Sequence, residues 1–194
     1  MMRLVVSIDH MGRTGRRAGD KGAAHGSLHE VDLTWRIAES IYQTGRERHD
    51  IILATHGSYS ERHAWANKHG ADVYLAMHIN ASGSERADYG AFFHHPATRK
   101  GNGDRLAELM AAEVTSLAHR RGYKTYKARA IAAAGDTWRN PRYTIGGLAR
   151  PVGVCCEPFF ISSPENRAAF CTTDALLALG RAYLAGIERW HTSK

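Results

Sequence analysis

A chain of 194 residues with 43% hydrophobic content is long enough for one substantial core and too short for two ordinary domains. A formal charge of +7 and a pI near 9.5 favour an anionic partner, a requirement that nucleic acid, a membrane surface or an acidic wall polymer would each meet. Three cysteines, two of them adjacent at Cys155 and Cys156, exclude a disulfide framework and argue against cysteine ligation of a metal. No stretch approaches the ~20 apolar residues of a membrane helix, and the amino terminus turns polar at Asp9 before a signal-peptide core can form. The expectation is a protein made in the cytoplasm without a signal peptide and without membrane insertion.

In chain order, apolar runs alternate with amphipathic stretches in the βαβ manner, and no repeat or linker interrupts them. A first strand from Leu4 to Asp9 leads into a Gly- and Arg-rich loop, Met11 to Ser27, that holds Arg13, Arg16, Arg17, Asp20 and Lys21. A helix opens near Glu30, with Leu33, Ile37 and Ile41 at helical spacing, and Gly45 closes it. Ile51 to Ala54 predicts a second strand, and Ser60 is read as the N-cap of a helix running to Gly70. Asp72 to Ile79 and Tyr89 to Phe93 predict further strands, and Asp104 to Arg121 a helix. Gly122 to Pro151 resists assignment; it is basic and aromatic, with Arg129, Trp138, Arg139 and Arg142, and suits a binding groove. A last strand ends at Glu157, and Asp174 to Trp190 forms a closing helix. The pattern predicts a single α/β domain over residues 1–194, with a mostly parallel twisted sheet flanked by helices on both faces.

Three of the apolar runs end in ligand-type side chains: His10, His78 and Glu157. In open α/β sheets the carboxyl ends of the strands are where sites assemble. A hydrolytic zinc site takes three protein ligands drawn from His, Glu and Asp and leaves a position for water, and His10, Glu30 and His78 would supply such a set. A second carboxylate near that water can act as general base, and Glu157 is the candidate. A lone strand-end histidine is ordinarily just hydrogen-bonded, but an unpaired glutamate in an apolar setting costs several kcal/mol, which favours a function for Glu157. His25 and His29, four apart, compete with His10 as ligands. His94 and His95 read as a solvated rim, His56, His63 and His69 as surface residues, and His119 and His191 as cations near helix ends.

These strings resemble the zinc-dependent N-acetylmuramoyl-L-alanine amidases of the amidase type 3 group, found in wall-remodelling enzymes and bacteriophage endolysins. The resemblance covers nearly the whole chain. Residues 5–10 resemble the first strand and its ligand histidine, Gly19 to Ala23 the Asp-x-Gly-Ala that follows, and Gly26 to Glu30 the stretch ending in the ligand glutamate. Arg62, Ala66-Asn67, Ala71-Asp72 and Leu75 to Ala81 are similar to the Arg, Ala-Asn, Ala-Asp and Ser-x-His-x-Asn-Ala elements, and Pro151 to Glu157 to the last strand with its catalytic glutamate. Three departures stand out: Asp9-His10-Met11-Gly12 where the family has Asp-x-Gly-His-Gly-Gly, Pro158-Phe159 after the glutamate, and Ala76 in place of Ser.

The resemblance implies one Zn2+ per chain on His10, Glu30 and His78, with Glu157 catalytic and peptidoglycan as substrate. It implies cleavage of the amide between the lactyl group of N-acetylmuramic acid and L-alanine. Asn80, Arg129 and Arg142 are candidate substrate contacts, and the basic loop at Arg13 to Arg17 would meet the polymer. No separate wall-binding module fits in the chain, so a phage-type lysin released through the membrane by a partner is the natural expectation. Two rival readings are a basic α/β nucleic-acid-binding domain, in which His78 and Glu157 have no role, and a non-catalytic wall-binding protein, for which an altered ligand set is expected.

Overall fold

The computed structural model describes residues 1–14, 18–95, 103–133 and 142–193. Its centre is a sheet of six strands: β1 (Arg3–Ile8), β4 (Asp50–Ala54), β5 (Val73–Met77), β6 (Gly90–His94), β7 (Ala128–Ala132) and β8 (Val152–Glu157), in the order β4-β1-β5-β8-β6-β7. The first four in that order run parallel, as their near-continuous Val/Ile/Leu runs require of strands covered on both faces. β6 runs antiparallel to β8, and β7 follows β6 in parallel. A short antiparallel hairpin, β2 (Ala24–His25) and β3 (Leu28–His29), lies within the loop after β1.

Strand alternation divides the sheet into two faces. Val6, Ile8, Leu75, Met77, Val154 and Cys156 enter the larger core, beneath α1 (Glu30–Gly45), α3 (Gly103–Arg120) and α6 (Thr173–Thr192). Val5, Tyr74, Ala76 and Cys155 enter a smaller core with Ala66 of α2 (Tyr59–Lys68) and Ile145 of α4 (Arg142–Ile145). Helices therefore flank both faces, as the alternation predicts. α1 and α6 cross closely because Gly180 has no side chain: a Cβ there would lie 2.6 Å from the Ile37 carbonyl, and the Ser40 hydroxyl donates to the Leu177 carbonyl at 2.7 Å.

Several local expectations are corrected. The N-cap of α2 is Ser58, whose hydroxyl accepts from the Glu61 amide while the Glu61 carboxylate accepts from the Ser58 amide; this reciprocal capping box displaces Ser60. The unassigned stretch contains β7 and α4, and α5 (Pro164–Phe170) follows β8. His63 is buried, not superficial, with Nε2 donating to the Thr144 carbonyl at 2.8 Å and its ring against Tyr74. His94 is the last residue of β6 and His95 follows it: because β6 runs antiparallel to β8, His94 pairs with Val154, while Ala91 at the start of β6 pairs with Glu157.

Candidate functional site

The reversal of β6 and β7 brings their first residues beside the carboxyl ends of β1, β5 and β8. At that edge stand three ligand-type side chains. His10 lies in the turn after β1, closed by the Met11 amide on the Ile8 carbonyl; Glu30 is the first residue of α1; His78 follows β5. One ligand atom from each lies within 4.8 Å of the others. Glu30 Oε1 is 3.3 Å from His10 Nε2 and 2.9 Å from His78 Nδ1. His25, the rival ligand, is exposed in β2 and stands outside this triangle.

Glu30 is held before any ligand arrives. Its Oε1 accepts from the Ile79 amide at 2.9 Å and its Oε2 from the Ala23 amide at 2.7 Å, while the Glu30 amide returns a bond to the Ala23 carbonyl. Gly22, at φ +73°, allows that approach: a Cβ there would sit 2.3 Å from Glu30 Oε2 and 2.8 Å from His10 Cδ2.

The charges tell the same story. Burial would raise the pKa of Glu30, but hydrogen bonds and charge from His10 and His78 hold it well below the usual carboxylate range. Burial opposes the His78 imidazolium, yet Asp9 and Glu30 outweigh it and hold its pKa well above the ordinary value. The protonated form of His78 and the ionised form of Glu30 thus favour each other. Donor atoms about 2.0–2.1 Å from a tetrahedral ion stand roughly 3.3 Å apart, close to the 2.9 and 3.3 Å found, and two imidazoles with one carboxylate are a donor set that zinc accepts. The residues present therefore fit the cation that the resemblance implies.

Behind the triangle, each histidine faces a carboxylate with its other ring nitrogen. His78 Nε2 is 2.9 Å from Asp9 Oδ2, and His10 Nδ1 is 3.3 Å from Asp20 Oδ2. Asp9 is fully buried and receives Arg62 Nη1 at 3.4 Å and the Ser7 hydroxyl. Tyr59, with the Arg13 guanidinium 3.7 Å over its ring, brings its hydroxyl to 3.4 Å from His78 Nε2. Asp9, Asp20, Gly22, Tyr59 and the role of Arg62 were missed in the sequence. Asp20, Gly22 and Arg62 lie in the strings that carry the resemblance, and strand alternation from Ser7 could have flagged Asp9.

Glu157, partly buried, ends β8 beside His78, whose amide donates to the Cys156 carbonyl at 2.9 Å. Burial raises its pKa, the Glu30 charge adds to this, and His78 and the Asn80 amide oppose it; the net shift is upward. Asn80, a candidate substrate contact, stands beside Glu157 and donates from Nδ2 to its Oε2. Arg129 is exposed on β7 in register with Ala91, which pairs with Glu157. Arg16, Arg17, Trp138 and Arg139 lie outside the described residues, as does the side chain of Arg142.

A six-stranded α/β sheet with a His-Glu-His triangle and a raised-pKa glutamate at one edge defines a hydrolytic enzyme. Residues 6–189 match the family model described as N-acetylmuramoyl-L-alanine amidase, and the chain belongs to that family. Solved structures agree in fold. The CwlD amidase from Clostridioides difficile, solved in complex with the GerS lipoprotein, superposes with a TM-score of 0.79 at 14% identity over 100% of both chains. An N-acetylmuramoyl-L-alanine amidase from Clostridium difficile 630 gives 0.78 at 18% identity over 100% of this chain and 98% of that one. The catalytic domain of CwlV from Bacillus (Paenibacillus) polymyxa gives 0.73 at 16% over 100% of both. No curated protein sequence matches. Among the described residues no helix is long and apolar enough to cross a membrane.

Proposed function

We propose that this domain is a zinc-dependent N-acetylmuramoyl-L-alanine amidase that hydrolyses the amide joining the lactyl group of N-acetylmuramic acid to L-alanine in peptidoglycan. The observation that carries the reading is the His10-Glu30-His78 triangle with the raised-pKa Glu157 on the neighbouring strand, in a chain matched to the family over residues 6–189. His10, Glu30 and His78 would hold the ion. When bound, zinc supplies Lewis acidity to the scissile carbonyl and lowers the pKa of water toward neutrality. Glu157 takes the proton of the attacking water and passes it to the departing amine of L-alanine, so that a carboxylic acid and an amine replace the amide. Asn80 fixes the Glu157 carboxylate by its hydrogen bond to Oε2.

The test is zinc content by elemental analysis together with lysis of purified peptidoglycan, before and after chelation, for the parent and for His78→Ala. One zinc per chain is expected in the parent, with lysis lost on chelation and regained on adding zinc, and neither zinc nor lysis in the variant. A metal-free parent that lyses walls, or undiminished lysis by His78→Ala, overturns the reading.

Arg129 is the proposed substrate contact. Its register with Ala91 and Glu157 sets it two strands, about 10 Å, from Glu157, and its exposed guanidinium suits a carboxylate of the stem peptide. Arg129→Gln is expected to raise KM several-fold with kcat little changed, the mark of a contact made equally in ground and transition state. An unchanged KM for an acidic stem peptide removes Arg129 from the contact set.

A further inference from the structure

We infer that Asp9 is a positioning residue that selects which ring nitrogen of His78 faces the triangle, with Arg62 as the strut that holds it. The inference rests on the zinc reading above. Arg62 and Asp9 form an ion pair whose side chains are 1% and 0% exposed. The guanidinium is anchored from several sides: Nη1 donates to the Ser7 hydroxyl and the Ile8 carbonyl at 2.9 Å, Nη2 to the Met11 carbonyl, and Nε to the His56 carbonyl at 3.1 Å. Every one of those β1 acceptors lies within two residues of Asp9. The Asp9 carboxylate therefore has little freedom to turn. Its Oδ1 receives the Ser7 hydroxyl and Arg62, which leaves Oδ2 for His78 Nε2 at 2.9 Å.

A carboxylate can only accept, and His78 presents Nδ1 to Glu30 and Nε2 to Asp9; a cation bound at Nδ1 would take the place of the proton there, and the proton left on the ring would be the one on Nε2 that faces Asp9. A ligand oriented in this way does not have to reorganise on binding. If the Arg62–Asp9 pair were only a buried strut, its loss would weaken the fold and affect the metal no more than any comparable loss of stability.

Zinc affinity, by competition with a chromogenic chelator, and thermal unfolding separate the two roles in Asp9→Asn and in the double variant Asp9→Asn/Arg62→Met. The single variant is expected to lose stability and to bind zinc about 10–100-fold more weakly. The double variant, with no charge left buried alone, is expected to regain stability but not affinity. The parent supplies a check that needs no variant: in the zinc-loaded protein, 15N-histidine spectra should show the His78 proton on Nε2 and ligation through Nδ1. The opposite tautomer, or a double variant with the parent's affinity, overturns the inference while leaving the zinc reading intact. A parent that binds no zinc overturns both.

Discussion

Replacing Glu157 with glutamine is expected to lower the rate of amide hydrolysis by about 10²–10⁴-fold, the usual contribution of a positioned acid-base group, while zinc content stays that of the parent. Glutamine keeps the size of the side chain and a hydrogen-bonding oxygen for the Asn80 amide, so the edge of β8 should stay intact. What it loses is the ability to take and return a proton. The two glutamates of the site are pushed in opposite directions, Glu30 well down by the histidines and Glu157 up by burial and by the charge of Glu30. A base works in its ionised form, so activity should fall as pH drops through the raised value of Glu157. That acid limb should therefore lie above the ordinary glutamate value of about 4.3. Glu30 remains ionised across that limb. Turnover of a soluble muramyl peptide against pH, with zinc measured in each sample, reads both effects. A glutamine variant within a few-fold of the parent would remove Glu157 from the chemistry.

Gly22→Ala should disable the site without altering any ligand. The added Cβ would overlap Glu30 Oε2 at 2.3 Å and crowd His10 at 2.8 Å, and alanine tolerates the +73° φ poorly, at a cost of about 1–2 kcal/mol. Glu30 is also tied to Ala23, the next residue, so the loop cannot retreat without losing the 2.7 Å bond that orients the carboxylate. Zinc affinity is expected to fall about 100-fold or more, beyond the typical effect of disturbing a ligand's supporting contacts, since two ligands are pushed at once. Lysis should fall with it, while far-UV circular dichroism stays that of the parent. An alanine variant with normal zinc affinity would show that the 18–23 loop yields more easily than its contacts suggest.

The parts of this site legible in the sequence are those where a polar residue breaks an apolar run. His10, His78 and Glu157 stand out because a buried strand has no other reason to end on such side chains. Glu30 begins a helix, where acidic residues are commonplace, and only the surrounding string singled it out. Arg62 looks like any helical arginine; its burial depends on carbonyls of Ile8 and Met11, more than 50 residues earlier in the chain. His94 and His95 obey the strand-end rule in sequence yet lie away from the His-Glu-His triangle, because the rule presumes parallel strands and β6 is reversed. Nothing local encodes that reversal. β7 escaped notice because Ala128–Ala132 is short, alanine-rich and at the sheet edge, where neither alternation nor bulk marks a strand.

The adjacent thiols of β8 carry a different consequence. Cys155 points into the smaller core and Cys156 into the larger, and burial pushes both thiols well above their ordinary pKa. Only the thiolate reacts with an alkylating probe, so each cysteine is silent until its own side of the sheet opens to water. One strand thus carries two independent clocks, one for each layer of the protein. Mass spectrometry of the alkylated peptide would time the opening of the α2 and α4 side against that of the α1, α3 and α6 side without an introduced label.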